Sequence, residues 1–196
     1  MEDYEKIREL LMKYSHKGVL KVESTGATLI GYAPHIAPRA WLNCIYTKLT
    51  DEEIVEIENS IGRKMPNAYI DFLQNFSNGL NVLITEIGLY GKCPNLINRT
   101  GGYETIVPFN LIISNRYRGI KNVPEGALII GGYGWDASKL YMMNDGTVYY
   151  CARYDATPLK KWDSLTEMLL EEIPRLYSLY DEDGVKLDPK QSSLPI

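Results

Sequence analysis

The chain has 196 residues, of which 21 are Lys or Arg and 25 are Asp or Glu, for a formal net charge of −4. Proteins that bind nucleic acid draw affinity from clustered positive charge, so this balance argues against nucleic acid as the main partner. A hydrophobic fraction of 45%, without a stretch long enough to span a membrane, predicts one globular domain with an elaboration and no membrane insertion.

The first part of the chain predicts one helix followed by strands. Apolar residues share one face of a helix predicted over residues 3–17, which Gly18 can end. Residues 19–32 are β-branched and apolar around Gly26, a pattern typical of a hairpin. We interpret residues 1–48 as an N-terminal extension packed on the core.

Residues 49–79 predict two short helices joined by a tight turn. Thr50 and Glu53 have the spacing of a capping box at the start of the first helix. Gly62 is placed to end that helix in a left-handed conformation. Pro66 suits the first turn of the second helix, because an N–H is not needed there.

The middle of the chain alternates apolar runs with turn residues. Asp145-Gly146 is a strong hairpin signal, because glycine supplies the positive φ that such a turn demands. The predicted elements are a strand over residues 82–90, a loop over 92–103, a short helix over 109–118, a strand over 127–130, and two hairpin strands over 139–143 and 147–153.

A closing helix completes the predicted fold. Ser164 and Glu167 have the spacing of a second capping box, and Pro174 should kink or end the helix that they begin. Residues 181–196 are polar enough to predict a loosely held C-terminal tail. The order of helices and strands predicts an α+β fold with a central antiparallel sheet flanked by helices.

Three motifs in this order resemble the SUKH superfamily. The first reads L-T-x-x-E-I-x-x-I-E, then I-G-x-x-M-P, Y-x-x-F-L and N-G; the second runs from Ala127 to Tyr150 and the third from Trp162 to Leu170. Their order and spacing carry the resemblance, which spans residues 42–175. The resemblance implies a SUKH-like domain over residues 49–180, with residues 181–196 as a polar tail.

The SUKH superfamily contains fungal regulators of cell-wall assembly and many bacterial immunity proteins that neutralise polymorphic toxins. The resemblance therefore implies a non-catalytic protein-binding module, and an immunity protein is the leading interpretation. Its partner would be a toxin domain, and a basic nuclease would suit an acidic protein because opposite charges steer the encounter. Two alternatives stay open: a regulatory scaffold of the cell-wall-assembly type, and a small-molecule enzyme that uses the Gly131–Asp136 loop.

The cysteines and the first residues bear on the compartment. Cys44, Cys93 and Cys151 are far apart and form no C-x-x-C pair, which is typical of thiols in a reducing compartment. The opening Met-Glu-Asp-Tyr-Glu lacks the positive region and apolar run of a secretory signal. We therefore expect a cytoplasmic protein.

Signals for catalysis are weak. The two histidines, His16 and His35, lie in no metal-binding or triad motif. Gly131-Gly132-Tyr133-Gly134 follows a predicted strand, but no G-K-[ST] follows it, so a structural loop is favoured over a phosphate-binding loop. We expect no catalytic residue, no metal site and no cofactor.

A cluster of aromatic and acidic residues suits recognition of a partner. Trp and Tyr are enriched at the centres of protein interfaces, and a tryptophan flanked by glycine in a loop is poorly explained by local folding needs. The alternative is that Trp135 covers one end of the core. The predicted partner-binding residues are Tyr133, Trp135, Asp136, Tyr149, Tyr154 and Asp155.

Overall fold

The computed structural model describes residues 2–93 and 106–196, and their strands form one antiparallel sheet in which each strand pairs with the next in sequence. This confirms the predicted α+β fold with a central antiparallel sheet. The strands are β1 Val19–Lys21, β2 Thr28–Tyr32, β3 Trp41–Ile45, β4 Leu80–Val82, β5 Ile87–Leu89, β6 Leu128–Tyr133, β7 Lys139–Met142, β8 Val148–Ala152 and β9 Asp155–Trp162. The α-helices are α1 Glu2–Leu11, α2 Asp51–Ile61, α3 Asn67–Asp71, α4 Leu111–Arg116 and α5 Leu165–Tyr177.

The N-terminal residues are built into the same sheet as the rest of the chain. Helix α1 continues as a 3-10 helix over Met12–Lys17, and Gly18 follows at φ 111°. β1 and β2 form the predicted hairpin, with Gly26 at φ 67° in its turn. β3 pairs with β2 on one side and with β4 on the other, so the extension joins the core through backbone hydrogen bonds.

Helix α2 begins and ends as its sequence predicts. The Glu53 N–H donates to Thr50 Oγ1 at 3.3 Å, and the Thr50 N–H donates to Glu53 Oε2 at 3.1 Å. Gly62 is left-handed at φ 74°, and its N–H donates to the Glu58 carbonyl. The predicted capping box is therefore confirmed.

We expect Thr50→Ala to lower the free energy of unfolding by about 1 kcal/mol, because the first turn of α2 loses its side-chain acceptor. Thr50→Ser keeps the hydroxyl and serves as the matched control. Urea denaturation followed by circular dichroism measures both. If Thr50→Ala lost no more unfolding free energy than Thr50→Ser, water would be replacing the side-chain cap without loss of stability.

The predicted strand over residues 82–90 is wrong, because the structure contains a hairpin there. β4 and β5 pair with each other across a turn in which Leu83 and Ile84 have φ of 46° and 67°. Neither residue favours positive φ, so the turn carries no signal in the local sequence. Tertiary hydrogen bonds impose it, as described below.

The glycines predicted to form a loop after residue 130 are also placed differently. Gly131 and Gly132 lie inside β6, which pairs with β5 on one side and β7 on the other. A Cβ at Gly131 would come within 2.5 Å of the Gly88 carbonyl oxygen, so the close approach of the strands requires glycine. α4 and the hairpin of β7 with β8 are confirmed.

Strand β9 was not predicted. It forms the edge of the sheet and contains Pro158, a residue that argues against a strand in sequence. Pro158 lies opposite Cys151, where the pairing with β8 shifts register, so its missing N–H interrupts no regular ladder.

The sequence predicts that Pro174 kinks or ends helix α5, and the helix runs through it to Tyr177, so Pro174 does not end it. Pro174 lies in the last turn, so the helical bond that its missing N–H removes is close to the end of the helix. At the other end, the Glu167 N–H donates to Ser164 Oγ, while the Glu167 carboxylate accepts from the Asp163 N–H instead of the Ser164 N–H. The predicted side-chain cap by Ser164 is therefore confirmed, but the return bond from the Glu167 carboxylate to the Ser164 N–H is replaced by one to the Asp163 N–H.

The C-terminal tail is held by specific contacts, contrary to the prediction of a loose segment. The Leu187 N–H donates to the Leu179 carbonyl, and Ser193 is fully buried. The Ser193 carbonyl accepts from Arg175, and the Pro195 carbonyl accepts from Lys160. These polar groups pair with residues distant in sequence, which composition alone does not reveal.

Two remaining predictions concern the loop over residues 92–103 and membrane insertion. Residues 94–103 lie outside the described residues. Within the ranges 2–93 and 106–196, no helix combines the length and the apolar character needed to cross a bilayer.

Candidate functional site

A cleft of about 280 Å³ opens at the end of the sheet where the β4–β5 and β6–β7 turns meet. The connection between β2 and β3 and the segment after α5 complete its walls. In an antiparallel sheet of this order these connections fall at the same end, which explains why they converge. The cleft is lined by Ile36, Leu42, Leu83, Ile84, Thr85, Glu86, Gly134, Trp135, Tyr180 and Gly184. We call it the Trp135 cleft.

The floor of the Trp135 cleft is a strained turn. Leu83 and Ile84 both have positive φ, which costs energy for side chains of this shape. The Leu83 N–H donates to Asn43 Oδ1 at 3.1 Å, and the Ile84 N–H donates to the Leu42 carbonyl at 2.5 Å. Strain of this kind persists where the surroundings over-determine the backbone, and it is concentrated at functional sites.

Glu86 connects this turn to the C-terminal segment. Its carboxylate accepts from the Tyr180 hydroxyl at 2.5 Å and from the Ser193 hydroxyl, and the Lys186 ammonium lies 3.8 Å away. Burial, followed by the hydrogen bond to Glu86, raises the pKa of Tyr180 above its usual range, so this phenol stays protonated and donates. This carboxylate therefore joins the β4–β5 turn to the segment after α5.

Trp135 stands at the mouth of the cleft with 42% of its surface exposed. The Lys186 ammonium lies 4.0 Å from the centroid of the Trp135 ring, which is a close cation–π contact. Next to it, the Asp136 carboxylate accepts from the Ser138 N–H at 2.9 Å, and Ala137 is left-handed at φ 60°. The turn therefore holds a large exposed ring in a defined orientation.

Tyr133 belongs to the core. It is 2% exposed, its hydroxyl donates to the buried Glu172 carboxylate at 2.8 Å, and its ring packs edge-to-face on Tyr150. Burial and the charge of Glu172 raise the pKa of Tyr133 well above its ordinary value. Such a side chain supports the β6–β7 turn from beneath and has no surface for a partner to contact.

The other three predicted residues lie away from the Trp135 cleft, in β8 and β9 and the turn between them. Tyr149 is half-buried and stacks on Tyr141 with ring centroids 5.1 Å apart. Tyr154 is 52% exposed, and Asp155 accepts from the Asn122 amide at 3.0 Å and the Thr157 N–H at 2.9 Å. Of the six predicted residues, only Trp135 lines the cleft, and Asp136 follows it in the same turn.

Sequence reasoning missed Glu86 and Tyr180, which line the cleft, and Lys186, which contacts the Trp135 ring. The one signal available for Glu86 was the polar Thr85-Glu86 step within an otherwise apolar run. No local pattern indicated Lys186, because its role depends on the position of Trp135.

Two backbone N–H groups of the Gly131–Asp136 segment are already paired within the protein. The Tyr133 N–H donates to the Ser138 carbonyl at 3.2 Å, and the Gly134 N–H donates to the Glu86 carbonyl at 3.3 Å. Phosphate loops need several unpaired N–H groups that converge on the ligand. This weighs against the small-molecule alternative at the Gly131–Asp136 segment.

Potential metal ligands and nucleophiles are dispersed. Across residues 2–93 and 106–196, no group of three His, Cys, Asp or Glu side chains is arranged to hold a metal ion. Burial raises the pKa of Cys44 to about 12 and that of Cys151 to about 11, so both thiols are protonated near neutral pH.

Comparison with known sequences finds a family model that matches more than half of the chain. The sequence model of a family described as SMI1 / KNR4 family (SUKH-1) matches residues 48–171. No curated protein matches the chain. The matched segment includes Glu86 and Trp135, whereas Leu42 and Tyr180 lie before and after it, so segments on both sides of the match complete the cleft.

Proposed function

Because the chain belongs to the SMI1/KNR4 family (SUKH-1), we propose that it is a protein-binding module, and specifically an immunity protein that neutralises a polymorphic toxin. Family membership supports the immunity or regulatory class. The more specific role rests on a surface suited to holding a protein partner, and one observation carries it: the exposed, oriented Trp135 beside a cleft lined by both apolar and polar groups.

Trp135 has the properties of an interface anchor. Its ring is large and partly exposed, and Lys186 holds it against the cleft, so little side-chain entropy is lost when a partner covers it. The cleft beneath, with its strained Leu83–Ile84 turn, offers a side chain of the partner both apolar contacts and the polar groups of Glu86 and Tyr180. An anchor next to a recess is the arrangement that dominates the energy of protein interfaces.

The charge around the cleft favours a basic partner. Asp136 flanks Trp135, and Asp181, Glu182 and Asp183 precede Gly184, which lines the cleft. Together with the net charge of −4, these side chains would accelerate association with a toxin domain that presents a basic face, of which a nuclease is one case.

Trp135→Ala is expected to weaken partner binding by at least about 1 kcal/mol in free energy, because truncation removes the anchor and exposes the recess. Isothermal titration of the purified partner against both proteins measures the difference. Since Trp135 is partly exposed, the thermal unfolding midpoint should change little, which separates loss of contact from loss of folding.

Val55→Ala on α2 is the control, because Val55 is an exposed apolar residue on an element that does not line the cleft. It should bind as the unchanged protein does. Unaltered affinity in a folded Trp135→Ala variant would remove the Trp135 cleft from the interface.

The identity of the partner is tested by capture. The tagged protein is incubated with lysate of its source organism, and stoichiometric partners are identified and expressed separately. A toxin domain whose killing is relieved by this protein, and not by a variant that fails to bind, supports the proposal. Recovery of several signalling or cell-wall enzymes would instead favour the regulatory scaffold.

A further inference from the structure

A second groove lies on the molecule, where α4 and residues 117–123 cover β6 and approach β7 and β8. It consists of two adjoining clefts of about 270 and 410 Å³, which share Ser114, Tyr117, Ile120 and Ile129. None of its lining residues lines the Trp135 cleft. We call it the α4 groove.

The rim of the α4 groove exposes large apolar side chains. Ile113 is 67% exposed, Tyr117 is 56% exposed and Tyr154 is 52% exposed, and all three line the first cleft. Single exposed apolar side chains are common on protein surfaces, but three around one recess are typical of interaction sites.

The charge of the α4 groove is positive, in contrast to the chain as a whole. Lys139 and Arg153 line one cleft, Arg63 and Arg118 line the other, and neither cleft has an Asp or Glu in its lining. Within residues 2–93 and 106–196, none of these four cations forms an ion pair.

Neutral groups hold several of these cations in place. Arg63 donates to the Ala127 carbonyl at 2.5 Å and to Asn115 Oδ1 at 3.1 Å, and Lys139 donates to the Tyr90 hydroxyl at 3.3 Å. Arg153 lies 4.8 Å from the centroid of the Tyr154 ring. Burial and the charge of Arg118 lower the pKa of Arg63, as expected where positive charge is concentrated without a counter-charge.

We propose that the α4 groove binds an acidic segment of a protein partner, with carboxylates on Arg118 and Arg153 and an apolar side chain against Ile113 and Tyr117. Uncompensated guanidinium groups recognise carboxylates by charge-assisted, bidentate hydrogen bonds. Ile113 and Tyr117 would also bury apolar surface against an apolar side chain of the segment, which a purely charged ligand lacks.

A nucleic acid fits the α4 groove less well than an acidic peptide. The surrounding protein has a net charge of −4 and would repel a long polyanion, whereas a short acidic segment carries few charges. Tyr117 and Tyr154 offer rings on which a base could stack, so the net charge is the property that distinguishes the two ligands.

The test uses a fluorescein-labelled peptide in which glutamates flank a leucine pair, with fluorescence anisotropy as the readout. The full chain should bind this peptide at low ionic strength, and affinity should fall as salt is added. Arg118→Glu combined with Arg153→Glu should weaken binding by at least about tenfold, since both sites would then repel the peptide. Both residues are exposed, and circular dichroism confirms folding.

Lys21→Glu combined with Lys190→Glu changes the net charge equally at exposed sites outside the α4 groove, and should alter affinity by less than about twofold. Ile113→Asn should weaken binding without changing its salt dependence. Three results would each overturn the proposal. The first is failure of the unchanged protein to bind the peptide, and the second is an equal loss of peptide affinity in both double variants. The third result is tighter binding of a single-stranded oligonucleotide of the same charge. Trp135→Ala should leave peptide binding intact, so this result is independent of the proposed immunity role.

Discussion

Replacing Glu172 with glutamine is expected to lower the free energy of unfolding by about 3 kcal/mol, because it leaves the half-buried Arg175 without its salt-bridge partner and Lys160 with only the carboxylate of Glu171. Glu172 is fully buried in α5. One of its oxygens accepts from Tyr133 at 2.8 Å and from Arg175 at 2.6 Å, and the other from Lys160 at 3.3 Å. The change would therefore loosen β6, β9 and the C-terminal segment together.

Glu125→Gln is the matched control, since Glu125 is exposed and the same substitution there should cost less than about 0.5 kcal/mol. Urea denaturation of both variants gives the comparison. If Glu172→Gln cost no more than the control, the carboxylate would be dispensable and the network around it would be held by packing alone.

Asn43→Ala is expected to cost about 3 kcal/mol or more of unfolding free energy, because it leaves several buried polar groups without partners. The fully buried Asn43 amide donates to the Leu11 carbonyl at 2.8 Å and to the Tyr177 hydroxyl at 2.7 Å. Its oxygen accepts from the Leu83 N–H at 3.1 Å. One side chain thus joins α1, α5 and the strained turn under the Trp135 cleft.

Asn81→Ala provides a comparison, because the Asn81 amide makes one hydrogen bond, to the Tyr46 hydroxyl at 3.0 Å. It should cost about 1 kcal/mol. Hydrogen exchange at the Leu83 amide gives a second readout: protection should fall in Asn43→Ala and persist in Asn81→Ala. Preserved protection in Asn43→Ala would mean that the turn holds its conformation without the asparagine.

The elements that sequence predicts well are those with local chemical signals. The capping box of Thr50 and Glu53, the left-handed Gly62 and the turn at Asp145-Gly146 depend on bonds within a few residues, which the sequence displays directly. The β4–β5 turn has no such signal. Leu83 and Ile84 adopt positive φ because Asn43 and Leu42, far earlier in the chain, bind their N–H groups.

The same distinction applies to the candidate site. Trp135 could be singled out from the sequence, because a tryptophan next to glycine in a loop is poorly explained by local folding needs. Lys186, which contacts the Trp135 ring, and Glu86, which lies near Lys186, come from segments far from Trp135 in the chain, so no local pattern could join them. Tyr133, only two residues from Trp135, is buried because it is the last residue of β6, whereas Trp135 lies past the end of that strand in the β6–β7 turn.

The neighbour-to-neighbour order of the sheet has a consequence for how the protein is made. Because every strand pairs with the one synthesised just before it, hairpins can form in sequence as the chain leaves the ribosome, without waiting for distant partners. Helix α1 is the exception, since the Tyr177 hydroxyl that binds Asn43 beside it arrives with α5, almost the last element synthesised. The first helix to emerge is therefore expected to be the last to dock.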